Sequence, residues 1–208
     1  MPVSEVKCCD CMDFMAQFPD KFFDLAIVDP PYGLGDSVVN SGGRFKRYEN
    51  KSGNWDTATP TKEYFTELER VSQNQIIWGG NYFIDKLTPT KCFLIWDKGQ
   101  RDFSLADGEM AWTSFKKAAR FFDYSRGQAL QEGKIHPTQK PVALYKWLLM
   151  NYAKQGDKIL DTHVGSASSL LACYDMGFDY IGFEIDEDYY KAAQKRIEEN
   201  KAQIRMVI

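Results

Sequence analysis

The chain has 208 residues, enough for one domain, or one domain with a modest insertion, to bury a real core. Its composition, 44% hydrophobic and 26% charged, excludes a disordered or fibrous chain, and no apolar run approaches the roughly 20 residues a membrane span needs. A net charge of -3 is no global mark of a nucleic-acid binder, so any phosphate contact must come from local basic patches.

Residues Glu5 to Cys9 read as a short strand. Its cysteines belong to the cluster Cys8-Cys9-Asp10-Cys11, but adjacent ligands do not wrap one tetrahedral ion, so free thiols and no metal are expected. Five cysteines, an odd number, fit a reducing compartment. Met1 to Asp10 also lacks a charged-then-apolar signal pattern, and a cytoplasmic protein without membrane contact is the expectation.

After Asp10, residues Met12, Phe14, Met15 and Phe18 give a helix an apolar face, closed at Pro19-Asp20-Lys21. The apolar run Phe23 to Val28 then reads as a buried parallel-type strand and delivers Asp29-Pro30-Pro31-Tyr32. An acidic residue at the carboxyl end of such a strand lies where open α/β sheets bind ligands. Two prolines fix the backbone behind it. The result is a rigid platform of one carboxylate, one carbonyl and one aromatic ring, suited to a flat ring that bears an amino group.

Residues 33–59 form a glycine-rich, aperiodic loop with Arg44, Lys46, Arg47 and Lys51, read as a mobile lid insertion whose cations meet phosphates. A helix from Pro60 or Thr61 to about Arg70 follows, then strands at Gln75 to Trp78, Cys92 to Lys98 and Glu109 to Thr113. Residues 98–135 interleave Lys116, Lys117, Arg120 and Arg126 with aromatics, as a small DNA-contacting region would, although each aromatic alone is as readily core. Ser125 to Ile135 reads as a second flexible stretch.

His136-Pro137-Thr138-Gln139-Lys140-Pro141 leads into a helix with Val142, Leu144, Tyr145, Leu148, Leu149 and Tyr152 on its apolar face. The last third repeats the β-α-β pattern: strand Lys158 to Leu160, a turn from Asp161 through Gly165 and Ser166, helix Ser169 to Met176, strand Tyr180 to Asp186, and helix Glu187 to Asn200. Gly165 admits close backbone approach, and Glu184 lies 19 positions after it, near the offset of a carboxylate that takes ribose hydroxyls.

In order, Asp-Pro-Pro-Tyr, Asn74 to Phe83, His-Pro-Thr-Gln-Lys-Pro, the Asp161 to Ser169 turn and a strand ending in Gly-Phe-Glu resemble the S-adenosylmethionine-dependent DNA amino-methyltransferases. With the catalytic half ahead of the cofactor half, the order resembles the β group of adenine-N6 methyltransferases. The resemblance implies an α/β, doubly wound, Rossmann-like sheet in circularly permuted motif order, forming a single domain over residues 1–208. It implies that Asp29 and the Pro30 carbonyl take the hydrogens of the target amine, with Pro31 bracing them and Tyr32 stacking on the flipped base. It also implies that Asp10, Thr138, Lys140, Asp161, Gly165, Ser166 and Glu184 line the S-adenosylmethionine site.

Further implications are a DNA substrate, a bacterial or phage-encoded restriction-modification context, and a homodimer to offset a short recognition region. Thr162, His163 and Ala167 depart from the family's Asp-Pro-Phe-x-Gly-Ser-Gly, which bears on cofactor affinity. Transfer to the cytosine amino group, transfer to RNA or a protein amide, and a silent DNA-binding relative are the alternatives.

Overall fold

A computed structural model describes residues 4–35, 56–101, 106–133, 135–136 and 138–205. Eight strands make one sheet: β1 (Ser4–Cys8), β2 (Phe23–Val28), β3 (Ser72–Trp78), β4 (Leu94–Asp97), β5 (Gly108–Thr113), β6 (Arg120–Asp123), β7 (Lys158–Asp161) and β8 (Asp179–Glu184). Their order across the sheet is β1-β8-β7-β2-β3-β5-β4-β6. Pairing is parallel except at β5, which runs against β3 and β4.

Helices cover both faces, as the two-sided apolar character of β2 requires. Leu25 and Ile27 face a core shared with α4 (Val142–Tyr152), α5 (Ser168–Met176) and α6 (Glu187–Arg205). Ala26 and Val28 face the opposite core, filled by Met15 of α1 (Cys11–Met15) and by Tyr64, Phe65, Leu68 and Val71 of α2 (Lys62–Val71). α5 stops at Gly177, a left-handed residue whose N–H closes back on the last turn. Gly182 on β8 lets α5 come close: a Cβ there would lie 2.6 Å from Val164 and 2.9 Å from Leu170.

From β2 the chain moves outward to β3, and from β7 it moves outward to β8 on the other side. The order therefore reverses between β7 and β2, and open α/β sheets hold ligands outside the carboxyl ends at such a point. Asp29 follows β2 and Asp161 ends β7, so the two carboxylates flank this crevice.

The strands and helices read from the sequence recur with ends shifted by a few residues, as at β3, which starts at Ser72. Two short elements differ. β6 joins the sheet edge, and α3 (Arg126–Gln131) occupies part of the stretch expected to be flexible, started by a Ser125–Gln128 capping box. Within residues 98–135, β5 and β6 lie in the main sheet. No helix among the described residues is long and apolar enough to cross a membrane.

Candidate active site

Asp29 leaves β2 half-buried, and the two prolines carry the chain to Tyr32. Tyr32 Oη donates to Asp29 Oδ1 at 2.6 Å. Lys140 Nζ donates to Asp29 Oδ2 at 2.5 Å and to Tyr32 Oη at 3.0 Å. Because a carboxylate offers about four acceptor sites, each Asp29 oxygen keeps capacity for a further donor. The Tyr32 ring stacks on Tyr82, 4.9 Å between centroids and 16° between planes. Behind it Gly79 is left-handed (φ +72), and a Cβ there would sit 2.2 Å from the Tyr32 ring. Only glycine combines that backbone angle with that proximity.

Lys140 is buried and belongs to a longer chain of charges. Its ammonium also pairs with Glu109 Oε2 at 3.0 Å, while Lys98 holds Glu109 Oε1 at 2.6 Å. β5 runs in reverse, so Glu109 at its start lies on the same rim as Asp29. Burial pushes the Asp29 carboxyl above its ordinary value, with Lys140 pulling the other way. Burial would raise Glu109 too, but Lys140 and Lys98 outweigh it and draw that carboxyl down to about 2. Burial opposes the Lys140 ammonium, yet Asp29 and Glu109 lift its pKa above the usual value, so it stays charged. Burial, with Asp29 alongside, pushes the Tyr32 phenol well above its usual range, so it acts as a neutral donor.

On the other side of the crevice the turn after β7 is held mainly through its backbone. Glu184 Oε2 accepts the Gly165 N–H at 2.8 Å, and Oε1 accepts the Asp186 N–H at 3.0 Å. Asp161 Oδ1 accepts the His163 N–H at 3.0 Å, and Oδ2 accepts the Ser169 hydroxyl. Burial raises Asp161 to about 7. Arg196 of α6 donates to the Ser166 carbonyl at 2.7 Å and to Ser168 Oγ at 3.0 Å, locking the outer side of the turn. Ala167, where the family pattern has glycine, is left-handed at φ 62.

Thr162 Oγ1 meets Tyr64 Oη of α2 at 2.6 Å and His163 Nδ1 at 2.9 Å. Burial lowers His163 to about 4, against the pull of Asp10, so the ring is neutral near pH 7. Polar contacts inside the turn and to α2 thus replace the proline and phenylalanine of the family pattern. Asp10 lies beside the end of β8 and caps α1 through the Met12 N–H at 2.7 Å.

The sequence-predicted residues therefore fall into two groups on one rim: Asp29 to Tyr32 after β2, and Asp10, Asp161, Gly165, Ser166 and Glu184 around β1, β7 and β8. The segment before α4 touches both. His136 packs near Gly165, where a Cβ would be 3.8 Å from its ring, and Thr138 Oγ1 contacts His136 Nδ1 at 3.1 Å. Lys140, expected among cofactor contacts, reaches across to Asp29.

Of the expected DNA contacts, Arg44, Lys46, Arg47 and Lys51 lie outside the described residues. Arg126 starts α3 beside Lys98, on the Asp29 rim. Lys116, Lys117 and Arg120 lie on the opposite rim: at about 3.3 Å per residue, β5 carries the chain on the order of 17 Å away before they occur. Lys117 is engaged there with the Asn151 carbonyl at 3.0 Å. Sequence reasoning assigns no site role to Glu109, Lys98, Tyr82 or Tyr64. For Glu109 the available signal was a lone carboxylate heading the otherwise uncharged strand run Met110-Ala111-Trp112-Thr113.

Residues 92–195 match a family model described as DNA methylase. The chain is 25% identical over 236 aligned residues to the type II methyltransferase M2.DpnII of Streptococcus pneumoniae, covering 91% of this chain and 87% of that protein. It is 26% identical to the type II methyltransferase M.HinfI of Haemophilus influenzae, covering 92% and 67%. Two solved structures share the fold. The M1.HpyAVI–SAM complex aligns with a TM-score of 0.63 at 22% identity, covering 93% of this chain and 100% of that one. The cytosine-N4-specific PvuII DNA methyltransferase aligns with a TM-score of 0.61 at 14% identity, covering 98% and 93%.

Proposed function

The chain belongs to the DNA methylase family, whose model it matches over half its length, and we propose that it methylates the exocyclic amino group of a flipped adenine in DNA, with S-adenosylmethionine as methyl donor. One observation carries the reading. The Asp29–Tyr32 platform and the Gly165–Glu184 turn flank the point between β7 and β2 where the strand order reverses.

The turn's chemistry fits the cofactor. Glu184 offers a carboxylate for hydroxyls, Gly165 presents a face without a side chain, and Asp10 stands at the neighbouring strand end. When bound, S-adenosylmethionine supplies an electrophilic methyl carbon on a sulfonium.

Asp29 and the Pro30 carbonyl accept the two hydrogens of the target amine. An aromatic amine delocalises its lone pair into the ring, and two acceptors on its hydrogens favour a pyramidal nitrogen whose lone pair is free to attack. The N–C bond would form as the C–S bond breaks and leaves a thioether; the positive charge would pass to the nitrogen, where the Asp29 carboxylate stabilises it until one N–H proton is lost to water. Tyr32 is the ring proposed to meet the base, and Tyr82, stacked on it, extends the aromatic surface toward solvent. An aspartate rather than a serine at position 29 supports adenine over cytosine. Arg126 and the cations of residues 36–55 are the proposed phosphate contacts.

The test is tritiated-methyl transfer to mixed DNA followed by nucleoside analysis. Labelled N6-methyladenine is expected, and label confined to N4-methylcytosine would overturn the target. No calorimetric binding at millimolar cofactor would sink the enzyme reading. Sedimentation with and without DNA reads the expected homodimer.

A further inference from the structure

The proposed chemistry uses Asp29, Pro30 and Tyr32 and leaves Glu109 and Lys98 without a role. Both are mostly buried: the Glu109 side chain is 23% exposed and that of Lys98 17%. Together with Lys140 and Asp29 they form an alternating row in which Lys98 holds one Glu109 oxygen and Lys140 the other, and Lys140 also holds Asp29. Taking these charges out of water is costly, and a pair that only braced the fold could be replaced by apolar side chains. The row ends on the carboxylate that faces the target amine.

The electrostatics of transfer give the row a purpose. Positive charge arrives on the methyl donor and moves onto the amine nitrogen, so the site needs net negative charge at Asp29. A buried ammonium paired with Asp29 alone would cancel that charge. Glu109 competes for the same ammonium, and the outer Lys98 balances Glu109 nearer to solvent. Lys140 then fixes the orientation of Asp29 without neutralising it. The ammonium also lies 5.3 Å from the centroid of the Trp78 ring and 5.5 Å from that of Tyr32, so its position is defined on several sides.

We propose that Glu109 is a positioning residue for methyl transfer: by drawing on the Lys140 ammonium, it keeps that ammonium from neutralising the Asp29 carboxylate that it orients toward the target amine. The inference rests on the methyltransferase reading above.

Glu109→Gln keeps the shape of the side chain and removes its charge. The readouts are calorimetric binding of S-adenosylmethionine, the single-turnover rate at saturating DNA and cofactor, and that rate as a function of pH. Cofactor affinity is expected to hold within about threefold, because Glu109 does not reach the Gly165 turn, while the rate falls about tenfold or more. The acidic limb of the pH profile should move to lower pH. Glu109's charge raises Asp29 while Lys140 lowers it, so losing that charge lets Lys140 pull harder. The other titratable groups that feel Asp29 are Tyr32 beside it, Tyr64 of α2, Tyr145 of α4 and Asp161 of β7, and none is altered.

A parent-like rate, or a lowered rate with an unmoved limb, would overturn the proposal. Glu109→Asp retains the charge at a shorter reach and is expected to keep more activity than Glu109→Gln. A loss in Glu109→Asp as large as that in Glu109→Gln would mean that the retained charge contributes nothing, and would also overturn it. If the unsubstituted protein binds cofactor but methylates no DNA, the methyltransferase reading itself falls. If that protein transfers and Glu109→Gln matches it, only the present inference falls.

Discussion

The two sides of the crevice are organised by different kinds of bond. Around Gly165 the side chains mostly grip backbone groups: Glu184 on the Gly165 and Asp186 amides, Asp161 on the His163 amide, Arg196 on the Ser166 carbonyl. Around Asp29 they are long charged side chains from distant elements: Lys140 before α4, Glu109 on β5 and Lys98 after β4. A backbone-held site tolerates a change of side chain as long as the chain path survives. A site held by buried charges does not, because removing one member strands its partner, at a cost of about 3–5 kcal/mol. This difference explains how Thr162, His163 and Ala167 can replace proline, phenylalanine and glycine on one side while the Asp-Pro-Pro-Tyr platform on the other is intact.

The largest effect that would break or sharpen this contrast comes from paired substitutions, one on each side. Asp29→Ala is expected to lower the single-turnover rate about 10³-fold while cofactor affinity stays within about threefold. Glu184→Gln turns an amide donor toward one of two backbone N–H groups and should weaken cofactor binding about tenfold, with the rate at saturation nearly unchanged. Rate loss and affinity loss appearing together in both variants would erase the distinction between the two sides.

Next in size is Gly79→Ala. Its Cβ would meet the Tyr32 ring at 2.2 Å, so the phenol is driven off Asp29, and transfer should fall about 100-fold. The left-handed backbone adds a stability cost of about 1–2 kcal/mol, read by thermal melting.

On the cofactor side the expected effects are smaller and depend on pH. His163 is lowered to about 4 from its unfolded value near 6.5, so its contribution is present above about pH 6.5 and is lost as pH falls toward 4. Asp161, raised to about 7, has the opposite sign: its contribution is present at low pH and is lost as pH rises through about 7. The two slopes oppose each other in the parent protein. His163→Phe removes one of them, so the variant should gain stability relative to the parent on going from pH 7 to pH 5. Equal shifts in melting temperature for parent and variant would count against it.

The smallest effect belongs to Ala167→Gly. Relief of the left-handed backbone, worth about 1 kcal/mol, is nearly offset by losing a buried methyl worth about 0.8 kcal/mol. A melting shift within about 1 kcal/mol of zero is expected. A larger gain would show that the turn is strained beyond what a single φ accounts for.

The parallel strands and their acidic ends are legible in sequence because a strand buried on both faces must be a continuous apolar run, as Phe23 to Val28 is, and because motif spacing is local. The charge row is not legible. Lys140 and Asp29 are 111 positions apart and meet only through the strand order, and Glu109 reaches the rim only because β5 runs backwards. The same reversal sends Lys116, Lys117 and Arg120 to the far rim, which a count of basic residues among aromatics cannot reveal. β6 and α3 escape notice for a different reason. Arg120-Phe121-Phe122-Asp123 is a short, mostly exposed edge strand, and Gly127 dilutes the capping signal of Ser125 and Gln128.

The pairing of β1 with β8 has a consequence for how the molecule is made. Among the described strands β1 is the first to be made, and its one neighbour in the sheet, β8, is the last of the eight. β2 and β3 can pair soon after both have emerged, but β1 must wait with its hydrogen-bonding edge unmatched until β8 has been made. Such a long-range closure is intrinsically slow. It also leaves a β edge exposed on an incomplete chain, where contact with a second nascent chain competes with correct closure. Completion of the sheet, and with it the placing of Asp10 beside Glu184, is therefore a late event in the life of each new chain.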